Sequence, residues 1–373
     1  MGNQFKLTPS VQEPATLLVG ILSPQHTPSY PDAYFQEFLS LARTNQVDTT
    51  HNIFVKLRSI DAGYYLTKGK LEEIRDYCEK EKIERVIFSE SLSPQQERNL
   101  EDLLNCTIID RTELILQIFE KAAHTAEGKI QVEMAALKYR KSRLAGKGVH
   151  LGQQRGGFGF YAGPGETAKE REMQYIEGLL IKLEKNLDHL NQIRATQRKQ
   201  RLEKNVPHVC LVGYTNAGKS SILNALTNST VLAEDKLFAT LDTTTRELFI
   251  NHKKIGLISD TVGFIQNLPH QLIAAFKSTL HELQYAHLLL HVIDLSDPNW
   301  KDHIKVTQKT LKDLGVDKPT LFVFNKIDKI NENDPLLAEV ESYKPHVLIS
   351  TLHKDSIKTL SEYIETWHVT KTA

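Results

Sequence analysis

The chain has 373 residues, 40% of them hydrophobic, with 46 Lys+Arg balanced by 46 Asp+Glu. That length divides into two or three domains with substantial cores, and a net charge of zero excludes a global pull toward nucleic acid or an acidic membrane surface, so any basic surface is local. No apolar run reaches membrane-spanning length, and the residues from Met1 to Lys6 contain neither a hydrophobic signal segment nor the Ser or Thr that myristoylation needs at position 6. Cys78, Cys106 and Cys210 are far apart and odd in number, which reads as reduced core thiols in a cytoplasmic, unanchored protein.

From Ala15 to about His124 strands and helices alternate. Thr16 to Ile21, Arg85 to Phe88 and Thr107 to Ile109 are short apolar runs that read as strands. Tyr34 to Ala42, Leu71 to Cys78 and Ser93 to Leu104 read as helices, the last with Pro94 suited to its first turn. Residues 1–124 are therefore expected to form a small α/β domain. Lys68-Gly69-Lys70 reads as a helix start with exposed lysines in preference to an anion site.

A helical hairpin is expected over 125–204. Leu114, Ile118, Ile130, Met134 and Leu137 recur at helical spacing, and a second long helix starts near Glu166 and runs through Ile176, Leu179, Leu180, Leu183, Leu187, Leu190 and Ile193 toward Lys204. The heptad-like leucines predict a short coiled coil. Between the helices lies a glycine-rich loop, 146–165, with Phe158, Phe160 and Tyr161. Lys129, Lys138, Arg140, Lys141, Arg143, Lys147 and Arg155 face only Glu133, and Arg194, Arg198, Lys199, Arg201 and Lys204 crowd the end of the second helix. Local cations beside aromatics on a glycine loop suit RNA, the charges neutralising phosphate and the rings stacking on bases. The alternative is a solvated helical face.

Residues 205–373 carry the chemistry. The strand Val209 to Val212 leads into Gly213-Tyr214-Thr215-Asn216-Ala217-Gly218-Lys219-Ser220, a full match to the phosphate-loop pattern, and a helix opens with Ser221. Backbone N–H groups and the helix dipole converge there on phosphate oxygens, Lys219 adds a charge, and Ser220 offers a hydroxyl to Mg²⁺. A second apolar strand, Ile255 to Ser259, ends in Asp260-Thr261-Val262-Gly263; the carboxylate can reach Mg²⁺ through water and the Gly263 N–H can reach the γ-phosphate. After the strand Leu321 to Phe324 come Asn325-Lys326-Ile327-Asp328, where Asp328 can accept both guanine N1–H and N2–H while Asn325 and Lys326 brace the loop. This set selects GTP. Ser350, Thr351 and Leu352 follow the strand Val347 to Ile349 and fit a last guanine-contacting loop, with Thr351 in place of the usual Ala. His281, His287 and His291 are not read as metal ligands, because His281-Glu282 lacks the second His of the zinc motif.

Asp110-Arg111-Thr112, the Glu127 to Glu133 segment, Gly163-Pro164-Gly165-Glu166-Thr167 and the phosphate loop together resemble the HflX family of ribosome-associated GTPases, over nearly the whole chain to about Trp367. The resemblance implies an α/β protein in which a P-loop GTPase domain follows a small α/β domain and a long helical hairpin. It implies catalytic roles for Lys219, Thr240 and Gly263, Mg²⁺ held by Ser220 and Thr240, and nucleotide contacts from Phe238, Ala239, Thr240, Leu241 and Asp242 in a first switch of about Val231 to Arg246. A second switch runs from Asp260 to a helix beginning near Pro269. Thr243 stands where the family usually has Pro, and Phe158, Phe160, Tyr161 and Ala162 replace family glycines and an Arg. Asn216 has the place at which related GTPases bring K⁺ to the phosphates, or is simply a good loop residue. Phe264 stands where Ras-like proteins carry the glutamine that orients water. The expected partners are GTP or GDP and the large ribosomal subunit with its RNA, with the chain a monomer. The alternative is a GTP-gated protein-binding switch without RNA contact.

Overall fold

The computed structural model describes residues 14–24, 28–146, 164–203, 206–227, 236–238, 240–241, 243–251, 253–267, 281–331 and 333–372. Strands β1 (Thr16–Leu22), β2 (Asn52–Lys56), β3 (Arg85–Phe88) and β4 (Thr107–Ile109) form a parallel sheet in the order β2-β1-β3-β4. All seven residues of β1 are buried, which is why its sequence is apolar from Leu17 to Leu22. Helices α1 (Pro31–Thr44), α2 (Lys68–Glu81), α3 (Pro94–Leu104) and α4 (Arg111–Ala122) connect and flank these strands. A capping box starts α3: the Gln96 N–H donates to Ser93 Oγ at 3.2 Å and the Ser93 N–H to Gln96 Oε1 at 2.9 Å. Lys68, Gly69 and Lys70 form the first turn of α2.

The hairpin consists of α5 (Ala126–Gly146) and α6 (Pro164–Glu203), of 21 and 40 residues. At a rise of about 1.5 Å per residue these span roughly 30 and 60 Å, so α6 far outruns its partner. The expected seam accordingly closes over only part of its length. Ile176 and Leu183 are buried, Leu187 and Leu190 are half-buried, and Ile193 is 44% exposed. The aromatic tip, Phe158, Phe160 and Tyr161, lies outside the described residues.

A six-stranded sheet follows, made of β5 (His208–Gly213), β6 (Thr244–Ile250), β7 (Lys253–Asp260), β8 (Leu288–Asp294), β9 (Thr320–Asn325) and β10 (His346–Leu348). Its order is β10-β9-β8-β5-β7-β6, parallel except for the antiparallel edge β6. Helices α7 (Lys219–Thr227), α8 (Trp300–Asp313), α9 (Leu336–Val340) and α10 (Lys354–Thr372) accompany it. The phosphate loop, Asp260 and Asn325 stand at the carboxyl ends of β5, β7 and β9, the edge at which open α/β sheets bind ligands.

One apolar cluster fuses the two sheets' surroundings. It runs from Phe38, Leu41, Ile115 and Phe119 through Phe238 and Leu241 to Val212 and Phe264. The opposite face of the large sheet has its own core, with Leu211, Ile222, Leu290, Val323 and Leu360. No helix among the described residues is long and apolar enough to cross a membrane.

Candidate active site

The phosphate loop is shaped by its glycines and held from the side. Gly218 has φ +97°, and a Cβ there would lie 2.2 Å from Asn325 Nδ2, so only glycine fits. That same amide donates to Ala217 O at 2.9 Å, so Asn325 braces the loop from the end of β9. Asn216 adopts φ +59°, a conformation that asparagine tolerates better than most residues. Lys219 is buried and its Nζ donates to Tyr214 O at 2.7 Å and Gly213 O at 3.2 Å. Burial pushes its ammonium down to about 8, against the opposing charge of Asp260.

Three oxygen-bearing side chains converge beside that lysine. Ser220 Oγ donates to Asp260 Oδ2 at 2.6 Å and lies 2.8 Å from Thr240 Oγ1. Asp260 is fully buried, and its second oxygen has no hydrogen-bond partner. Burial raises its pKa, while Lys219 opposes the shift. Gly263 is needed for close approach: a Cβ there would meet Thr215 Cα at 2.8 Å and Lys219 Nζ at 3.0 Å. The next residue, Phe264, continues the sheet pairing, since its N–H donates to Gly213 O at 3.0 Å and its carbonyl accepts from the Thr215 N–H at 2.8 Å. Asn216, Gly218, Lys219, Ser220, Ser221, Thr240, Thr261 and Gly263 line one pocket.

Other expected nucleotide contacts are placed differently. Phe238 reaches the same pocket, yet its ring is almost entirely buried edge-on to Phe119, centroids 4.7 Å apart, and Leu241 and Val262 are buried in the same core. Ala239 and Asp242 lie outside the described residues, as do residues 231–235 of the first switch and the helix expected near Pro269.

On the base side, Asp328 accepts from Ser350 Oγ at 2.5 Å, and Lys326 Nζ pairs with Asp294 Oδ2 at 2.6 Å. The hydroxyl of Ser350, itself fully buried, is thus committed to orienting Asp328, while Thr351 is half-buried and Leu352 is 77% exposed. His291 sits inside β8 against Phe322, its pKa pushed down to about 3 by burial, and His287 Nδ1 accepts from the His208 N–H.

The small α/β domain reaches this site through residues that the sequence does not mark as a group. Fully buried Arg111 donates through Nη2 to Glu37 Oε1 and to Gln266 O, both at 2.9 Å. The Tyr214 hydroxyl hydrogen-bonds the other oxygen of Glu37 and accepts from the Gln266 N–H at 2.8 Å. Tyr214 also stacks on His303 with centroids 3.7 Å apart. Arg111 is visible in the sequence only as part of the Asp-Arg-Thr signature.

The hairpin cations correct the expectation that they face only Glu133. Arg143 is mostly buried, with Nη2 at 2.6 Å from Asp110 Oδ2 and Nη1 at 3.0 Å from Glu97 Oε2. Arg140 pairs with Glu172 at 2.5 Å and Lys141 with Glu177 at 2.7 Å, joining α5 to α6. Their acidic partners lie 32 or more residues away, beyond the reach of a local charge count.

A phosphate loop, a carboxylate and glycine after the neighbouring strand, and an Asn-Lys-x-Asp loop on one sheet edge define a P-loop GTPase. Three family models match: GTP-binding GTPase N-terminal over residues 32–120, GTP-binding GTPase middle region over 122–201, and 50S ribosome-binding GTPase over 208–326. GTPase HflX of Caldanaerobacter subterraneus is 43% identical over 356 residues, 95% of this chain and 80% of that protein. The protein of the same name in Escherichia coli is 41% identical over 312 residues, 83% of this chain and 73% of its own length. The crystal structure of SsGBP in complex with GDP shares 25% identity at a TM-score of 0.53, covering 96% of this chain and all of that one. The chain belongs to the HflX family of GTPases.

Proposed function

We propose that this ribosome-associated GTPase hydrolyses GTP at the Lys219, Ser220, Thr240 and Asp260 cluster and couples the reaction to release or remodelling of the large ribosomal subunit, in splitting, rescue or assembly. The convergence of Ser220, Thr240 and the half-satisfied carboxylate of Asp260 beside a buried lysine carries this reading. Lys219 and the loop N–H groups bind the phosphates, Gly263 gives its N–H to the γ-phosphate, and Asp328, aimed by Ser350, reads guanine. The hard oxygen donors suit Mg²⁺, which Ser220 and Thr240 would hold and which, when bound, neutralises charge on the β- and γ-phosphate oxygens. Asn216 is the residue proposed to face a K⁺ ion there. Loss of the γ-phosphate frees Thr240 and Gly263, and the switches relax.

The working units are residues 1–124, 125–204 and 205–373, in a cytoplasmic monomer whose hairpin tip meets ribosomal RNA. The pairing of Arg140, Lys141 and Arg143 gives some weight to a second reading, a GTP-gated protein-binding switch without RNA contact. Lys129 and Lys138 remain exposed for the first. The base site is tested by Asp328→Asn, whose amide can donate to the 2-oxo group of xanthine. Preference should move from GTP to xanthosine triphosphate; an equal loss of both in nucleotide titrations contradicts the assignment.

A further inference from the structure

Phe264 leaves a gap in the catalytic machinery. A phenyl ring neither donates to nor accepts from water, and this one is 3% exposed in the core, on backbone zipped to the phosphate loop in both directions. Among the described residues, the group that orients the attacking water then comes from elsewhere in the pocket.

Two fully or nearly buried hydroxyls line that pocket, Thr215 and Thr261. Thr261 Oγ1 is spent, donating to Leu211 O at 2.7 Å. Thr215 is 6% exposed and its Oγ1 has no hydrogen-bond partner, an arrangement that is unfavourable unless a ligand or water supplies one. Its N–H is already engaged by Phe264 O, so the hydroxyl is what this residue has left to offer. The side chain abuts the reaction centre: its Cα and Cγ2 are the atoms that a Cβ on Gly263 would meet at 2.8 Å, with Lys219 Nζ next at 3.0 Å. Ser220 and Thr240, with Asp260 behind them, are bound to one another on the Mg²⁺ side, and the pocket's other oxygen-bearing side chains, Asn216 and Ser221, are less buried than Thr215.

We propose that the Thr215 hydroxyl is a catalytic residue of this GTPase, hydrogen-bonding the attacking water at the γ-phosphate in the role that glutamine after Asp-x-x-Gly fills in Ras-like proteins. The water oxygen bonds to the γ-phosphorus as the bond from that phosphorus to the β,γ-bridging oxygen breaks. GDP leaves with the electron pair, and the proton of the water ends on the released phosphate. Thr215 keeps its own proton and only orients the water, accepting one hydrogen bond and donating another.

This proposal rests on the phosphate-loop reading, which fails separately if the wild-type chain binds no GTP. The test is single-turnover GTP hydrolysis by the full chain, with GTP and GDP affinities measured for Thr215→Val, Thr215→Ala and Thr215→Ser. Val keeps the shape and removes the hydroxyl, Ala does so with less bulk, and Ser keeps the hydroxyl. The expected result is a fall of about 10- to 100-fold in the hydrolysis rate for whichever of Val and Ala retains wild-type GDP affinity, GTP affinity within twofold, and a near wild-type rate for Ser. An unchanged rate in the hydroxyl-free variant overturns the proposal. So does a selective loss of GTP over GDP affinity at an unchanged rate, which assigns the hydroxyl to ground-state phosphate binding, and so does a Ser variant as slow as Val, which assigns the effect to the methyl group.

Discussion

In the phosphate cradle and in the hairpin, charged side chains serve opposite ends. Lys219 is buried against loop carbonyls, within the field of a carboxylate whose second oxygen lacks a partner, an arrangement directed at a ligand. Arg143 is nearly as enclosed, but Asp110, Glu97 and the Leu92 carbonyl occupy its guanidinium, an arrangement directed at the protein itself. The lesson is that a cation near a glycine loop says little until its tertiary partners are known. Asp260, half-satisfied beside the phosphate loop, is open to a ligand, whereas a carboxylate engaged by the protein on both oxygens points inward. Asp110 is of the second kind: it accepts from the N–H groups of Leu92 and Glu113, from the Tyr139 hydroxyl and from Arg143.

The sharpest way to break this contrast is Arg143→Ala. Leaving Asp110 and Glu97 without their cation should cost about 3 kcal/mol, because removing one partner of a buried pair strands the other charge. Thermal unfolding should show the loss, with GTP affinity of the folded protein unchanged. Arg140→Ala and Lys141→Ala break exposed pairs and should each cost less than about 1 kcal/mol. A loss at Arg140 equal to that at Arg143 would erase the distinction between latch and surface.

A smaller effect is expected from pH. Burial pushes the Glu97 carboxyl up to about 7; Arg143 opposes this, and Asp110, Glu101 and Glu113 add to it. The folded pKa therefore exceeds the unfolded value of about 4.3, and the folded state binds more protons between the two. This contribution to stability is complete below about pH 4.3 and is lost as pH rises toward 7. Glu97→Gln should flatten the decline in Tm between pH 5 and pH 7.5; an unchanged slope would place the titration elsewhere.

How much of this could be read beforehand differs by region for physical reasons. Phosphate and guanine recognition demand particular residues at strand ends, so Gly213 to Ser220, Asp260 to Gly263 and Asn325 to Asp328 are legible, and the structure gathers them on one edge. Strand β8, Leu288–Asp294, is a buried run, apolar but for His291 and the closing Asp294, without the periodicity that distinguishes strand from buried helix, and β2 and β6 are edge strands with mostly exposed or half-buried side chains. The grip of Glu37 and Arg111 on Tyr214 and Gln266 joins positions 155 and 177 apart, which no local pattern encodes. Thr215 is legible as a loop residue, but its unpartnered hydroxyl appears only in three dimensions.

The central claim is that the cradle is a GTPase site answering to the ribosome, and the most direct measurement is GTP turnover by the full chain in K⁺ buffer, alone and with purified large ribosomal subunits. P-loop GTPases turn over slowly until a partner completes the site, so even with Thr215 orienting water in place of a glutamine the free protein should be slow and the subunit should raise the rate at least about tenfold. Fast turnover by the free chain, or a rate that the large subunit leaves unchanged, would contradict it.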